Sequence, residues 1–88
     1  MPCTVRVASP LRSYTLGASS ASAEGASLAE VLADLDKRFP GIRFRMIDEQ
    51  DRIRRHIRLF VNTREATTLT DAVQSGDEVH LICALSGG

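Results

Sequence analysis

A chain of 88 residues has room for one domain and one modest core. Eleven basic residues balance eleven acidic ones, so no surplus charge points to nucleic acid, and no apolar run approaches the length of a membrane span. Two cysteines are too few for a disulfide scaffold, a structural zinc site or an iron–sulfur cluster, and a start at Met1-Pro2-Cys3-Thr4-Val5, lacking the basic and apolar regions of a signal peptide, predicts a cytoplasmic protein.

Cys3 to Ala8 alternates, with Cys3, Val5 and Val7 on one face and Thr4, Arg6 and Ala8 on the other, as a half-buried strand does. Ser9-Pro10 breaks it, and Leu11 to Gly17 reads as a connection. The serine- and alanine-rich run from Ala18 to Glu24 fits a second strand closing a hairpin on the first, or a flexible linker. Ser27 followed by Glu30 is a capping box: the Ser27 hydroxyl can accept the backbone N–H of residue 30, while Glu30 reaches back to the N–H of Ser27. Leu28, Val31, Leu32, Leu35 and Phe39 then recur at helical spacing, and Pro40-Gly41 ends the helix. One amphipathic helix with one apolar stripe needs a sheet to cover it.

Ile42 to Met46 reads as a short extended segment. Asp48 to His56 is a charged excursion, acidic first and basic second, either simply solvated or a docking site. Ile57 to Asn62 alternates again, with Ile57, Leu59 and Val61 inward and Arg58, Phe60 and Asn62 outward. Asn62 to Glu65 has turn chemistry, Leu69 to Val73 suits one helical turn or a short strand, and Ser75-Gly76-Asp77 is a further turn. The last strand is expected from Glu78 to Leu85, with Val79, Leu81 and Cys83 inward. Cys83 on that parity is a small core residue rather than a reactive thiol, and His56 and His80 lack partners that would make either a catalytic base. The outward residues Phe60 and Ile82, flanked by Arg6 and Arg58, make a candidate docking patch if their strands lie side by side; otherwise they are scattered surface side chains.

Ser86-Gly87-Gly88 follows that strand. Two glycines give a slim arm able to enter a narrow channel, with the α-carboxylate of Gly88 unhindered at its tip. A carboxylate needs a leaving group before it is electrophilic, so the tail reads as a handle for another enzyme. The expected organisation is a domain over residues 1–85 and a tail over 86–88. The fold class is α+β: a β-grasp (ubiquitin-like) mixed sheet on one main helix, with the first and last strands parallel at its centre.

These pieces resemble the ubiquitin-like sulfur carriers, the family of the thiamin sulfur carrier and the small subunit of molybdopterin synthase. The resemblance rests on Pro10-Leu11-Arg12 with Thr15 and Gly17, Gly25-x-Ser27-Leu28, Phe39-Pro40-Gly41, Val61-Asn62, Gly76-Asp77-Glu78-Val79 and Gly87-Gly88. Its length and charged insertion look most like carriers serving cysteine, homocysteine or secondary-metabolite synthesis. Where many relatives carry proline shortly before the tail, this chain has Cys83. The resemblance implies a protein co-substrate rather than an enzyme, with no cofactor of its own. An adenylating enzyme activates Gly88, a sulfurtransferase or sulfide source converts it to a thiocarboxylate, and a sulfur-accepting synthase uses the sulfur. The alternatives are a ubiquitin-like modifier joined through Gly88 to lysines, and a β-grasp binding module whose tail is incidental.

Overall fold

The computed structural model describes residues 2–83; Ser86, Gly87 and Gly88, and with them the expected tail, lie outside the described residues. Five strands form one mixed sheet: β1 (Cys3–Val7), β2 (Ser20–Ala23), β3 (Ile57–Val61), β4 (Arg64–Ala66) and β5 (Glu78–Cys83). Their order is β2-β1-β5-β3-β4, and β1 and β5 are parallel neighbours at the centre, as the β-grasp expectation has it. All the other pairings are antiparallel. Two helices, α1 (Leu28–Arg38) and α2 (Ile42–Met46), lie between β2 and β3 in the chain.

Alternation in the strands becomes a two-sided sheet. Cys3, Val5, Val7, Ile57, Leu59, Val61, Val79 and Leu81 are all buried on the inner face. Against them α1 sets Leu28, Val31, Leu32 and Leu35, each with no exposed surface. Burying each such leucine or valine contributes roughly 1.5–3 kcal/mol, which makes this interface the main source of stability. Phe39 is only half-buried, because the helix has ended one residue earlier and Phe39 is its cap.

The start of α1 is held from three directions. The Ser27 Oγ accepts the N–H of Glu30 (3.3 Å), and the Glu30 carboxylate takes the N–H of Ala26 (2.8 Å), one residue before the expected target Ser27. The free N–H groups of Leu28 and Ala29 reach the carbonyls of Asp71 and Leu69, both at 3.0 Å. The Leu69–Val73 cluster is thus neither helix nor strand but a turn that satisfies the orphan donors of α1, with Ala72 bridged to Ser27.

Ile42 to Met46, expected to be extended, is α2. Gly41 turns the chain at φ 98°, and the Asp36 carboxylate accepts the N–H groups of Gly41 (3.0 Å) and Arg43 (3.1 Å). Ile42 and Met46, four residues apart, are then both buried on one helical face. The turn expected over Asn62 to Glu65 is tighter than that: β4 already begins at Arg64 and pairs with β3.

Candidate functional site

The outer face of the sheet follows from the register. Arg6 of β1 and Phe60 of β3 both lie opposite His80 of the central strand, and Arg58 lies opposite Ile82. Phe60 and Ile82 are therefore diagonal neighbours on adjacent strands, within reach of each other's side chains. The four residues expected to form one patch share one face. Ile82 is 41% exposed, and Phe60 is half-buried. The two arginines are not free charges: Arg6 pairs with Glu78 (3.3 Å) and Arg58 with Glu65 (3.1 Å). Glu78 also contacts His80 Nε2 at 3.3 Å. Phe60 and Ile82 thus flank His80 on this face, and the arginines at its rim are charge-balanced.

Parity alone does not single out His80. It stands at the centre of the face because two registers meet on it, and registers are not visible in one strand's pattern. Two further exposed apolar side chains are absent from the expected set: Leu16 at 93% and Phe44 at 58%. Phe44 sits in a segment expected to be extended, and its helical placement changes which way it faces.

Both ends of β5 are fixed by their neighbours. At its start, Asn62 takes a left-handed backbone (φ 56°), and its Oδ1 accepts the N–H of Glu78 (2.9 Å). Its Nδ2 donates to the Asp77 carboxylate (3.1 Å), which also accepts the N–H of Gln74 (2.9 Å). The Gln74 amide, and after it the Asn62 amide, hold the Asp77 carboxyl below its usual range. At the other end Cys83 pairs with Ile57 and packs against the core. Burial pushes its thiol up, opposed by the positive charge of Arg45. Burial likewise raises Cys3, whose Sγ lies 3.4 Å from the Ala23 carbonyl. Raised thiols carry little thiolate at neutral pH, so neither cysteine is set up as a nucleophile.

The sheet places the two cysteines far apart. Thr4 is level with Glu78, so Cys83 lies six positions further along than Cys3, about 20 Å away. Both are free thiols. Among the described residues no group of three His, Cys, Asp or Glu side chains is placed to hold a metal ion, and no helix is long and apolar enough to cross a membrane.

Comparison with known proteins adds to this geometry. A model of the ThiS family matches residues 5–88. The chain is 33% identical over 93 aligned positions to the sulfur carrier protein CysO of Mycobacterium tuberculosis, with all of both chains covered. Among solved structures, a chain of the Amycolatopsis orientalis BexX/CysO complex superposes with a TM-score of 0.91 at 31% identity, covering 98% of this chain and 99% of that one. The crystal structure of Mycobacterium tuberculosis CysO gives a TM-score of 0.89, also at 31% identity, covering 94% of this chain and 99% of that one.

Proposed function

The chain belongs to the ThiS family and is a sulfur carrier protein, not an enzyme; on that premise we propose that the α-carboxylate of Gly88, at the end of the Ser86-Gly87-Gly88 tail, is the group that carries the sulfur. The observation that carries this reading is the full-length match to sulfur carriers, which extends through the glycine pair.

The chemistry divides between this chain and its partners. A Gly88 carboxylate oxygen attacks the α-phosphorus of ATP on an adenylating enzyme, and pyrophosphate leaves. A sulfide or persulfide sulfur from a sulfurtransferase or sulfide source then attacks the acyl carbon. AMP departs, and after reductive release of any donor sulfur the carbonyl bears a thiocarboxylate. That sulfur is the nucleophile a sulfur-accepting synthase consumes in a biosynthetic reaction. The chain itself lacks the Gly-x-x-x-x-Gly-Lys-Ser/Thr phosphate loop, so ATP is the partner's to hold. Its own contributions are reach and recognition. The five residues after Cys83 can span at most about 17 Å, enough to thread a channel while the domain stays outside. The outer-face patch of Phe60 and Ile82, rimmed by Arg6 and Arg58, is where partners dock. The cycle runs in the cytoplasm, where ATP and reduced sulfur are both available; two free thiols suit such a reducing compartment.

The test is intact-mass analysis after incubation with the cognate adenylating enzyme, ATP and sulfide. The expected product is heavier by the difference between sulfur and oxygen. An unchanged mass with an active enzyme overturns the reading. Conjugation to lysines is not favoured, because the relatives at 31–33% identity are named as sulfur carriers or their complexes. Isopeptide-branched peptides in a digest would restore it.

A further inference from the structure

Residues 43–55 hold five of the chain's arginines against three carboxylates, in a molecule that is neutral overall. Two of those carboxylates are committed locally: Asp51 pairs with Arg43 (3.1 Å), and Asp48 pairs with Arg52 (3.7 Å). Glu49 remains, and it is exposed. Among the described residues Arg45, Arg54 and Arg55 make no salt bridge. The segment is built rather than loose. Ile47 and Ile53 bridge antiparallel, the N–H of Arg54 reaches the Met46 carbonyl (2.8 Å), and the Asp48 carboxylate accepts the N–H groups of Gln50 and Arg52, both at 2.9 Å. Arg54 is locked over an exposed aromatic ring: its Nε donates to the Phe44 carbonyl (2.7 Å), and its guanidinium carbon lies 4.6 Å from the Phe44 ring centroid. An arginine held on a ring loses little freedom when it binds a carboxylate.

The position of this rim matters as much as its charge. The turn carrying Arg55 closes with the Ile57 N–H on the Arg54 carbonyl (3.0 Å), and Ile57 pairs with Cys83, the end of the described part of β5. The charge of Arg45 acts on that same Cys83. The basic rim thus borders the end of the sheet from which residues 84–88 continue, separate from the charge-balanced outer face.

We propose that Phe44, Arg45, Arg54 and Arg55 form a second docking surface, for an acidic segment of the adenylating enzyme that takes the tail. This rests on the reading that Gly88 is presented to such an enzyme. Any protein that receives the tail must approach this edge of the sheet, and the surplus charge there is positive. Complementary carboxylates on the partner speed encounter and reject wrong partners more than they change the chemistry.

The test compares wild-type chain, the double variant Arg45→Glu/Arg55→Glu and Phe44→Ala as substrates in ATP–pyrophosphate exchange by the cognate adenylating enzyme. Arg45 and Arg55 are exposed and make no side-chain hydrogen bond among the described residues, so the double variant is expected to keep the fold, which an unfolding midpoint equal to wild type would check. The double variant is expected to need about tenfold more carrier for half-saturation at low salt, with exchange at saturation within about twofold of wild type and the gap closing near 0.5 M salt. Phe44→Ala raises the requirement less, and without the salt dependence. Half-saturation equal to wild type for the double variant overturns the proposal. So does the case in which the charge reversals abolish self-association or binding of an RNA oligonucleotide while exchange is unaltered. If wild-type carrier itself supports no exchange, the reading of Gly88 fails first and this proposal with it, so the two failures are told apart.

Discussion

At the scale of single residues, two positions carry conformational demands that their identities meet unequally. Gly25 has no positive φ, yet a Cβ there would sit 2.7 Å from both the Glu30 Cβ and the Val31 amide nitrogen. Those atoms belong to the first turn of α1 and cannot step aside cheaply. Gly25→Ala should therefore destabilise by about 1–3 kcal/mol through overpacking, read as a lower denaturant midpoint at unchanged slope. Leu16 is the reverse case. It holds φ 57° and is 93% exposed, so a branched aliphatic side chain occupies a left-handed position and packs on nothing. The hydroxyl of buried Thr15 fixes this turn by donating to the Ala18 carbonyl (2.8 Å). Leu16→Asn should stabilise by about 0.5–1 kcal/mol, since asparagine adopts the left-handed region at less cost than leucine. A midpoint at or below wild type would show that the leucine makes contacts worth more than the strain it bears.

At the scale of elements, the capping box and the stripe behind it made α1 legible in the sequence. Leu32→Ala, at a site with no exposed surface, should cost roughly 2–5 kcal/mol by leaving a cavity against the sheet. The alternation of β1, β3 and β5 was equally legible, since each buries one face only. What the pattern did not show depended on partners distant in sequence. Five residues of α2 are too few to display a helical period, and its start is set by the Asp36 carboxylate on α1. The three residues of β4 exist as a strand only because β3 lies alongside, and the turn at Leu69–Asp71 takes its shape from the donors it satisfies. The start of β5 supplies a pH test. Asp77, held below the usual carboxylate range by the amides of Gln74 and Asn62, contributes stability that is present above pH about 4 and lost as pH falls through the folded value. Asp34, held down chiefly by the Glu24 amide, and Asp48, held down chiefly by the Arg52 amide, act in the same direction. Asp77→Asn should flatten the acid limb of stability against pH; an identical limb would mean that this clamp is not a source of the acid sensitivity.

At the scale of the whole molecule, parity placed Arg6, Arg58, Phe60 and Ile82 outward, while register decided that they meet and put His80 among them. The basic half of the charged excursion, with Arg54 and Arg55, was readable as a solvated stretch or a docking site, but the ring of Phe44 under Arg54 was not, because it depends on a helix and a bridge that the local pattern does not encode. The parallel pairing of β1 with β5 puts the final strand at the centre of the sheet, bonded on both sides, and it is this strand that leads to the glycine pair. Anchoring and function should then separate cleanly by mutation. Deleting Gly88 moves the terminal carboxylate one residue, about 3.5 Å, back from the activating centre, and adenylation should be lost. Gly87→Val should be nearly as damaging, because a β-branched side chain widens the arm and stiffens it. Both changes lie beyond Cys83, where the described core ends, so unfolding stability should stay within about 0.5 kcal/mol of wild type. Phe60→Ala should act at the outer face instead, raising the carrier concentration needed for half-saturation while leaving exchange at saturation intact. The measurement is ATP–pyrophosphate exchange with the cognate adenylating enzyme, alongside an unfolding curve for each variant. Full exchange by the Gly88 deletion would mean that the α-carboxylate at that position is not the group activated, and the sulfur would have to ride elsewhere.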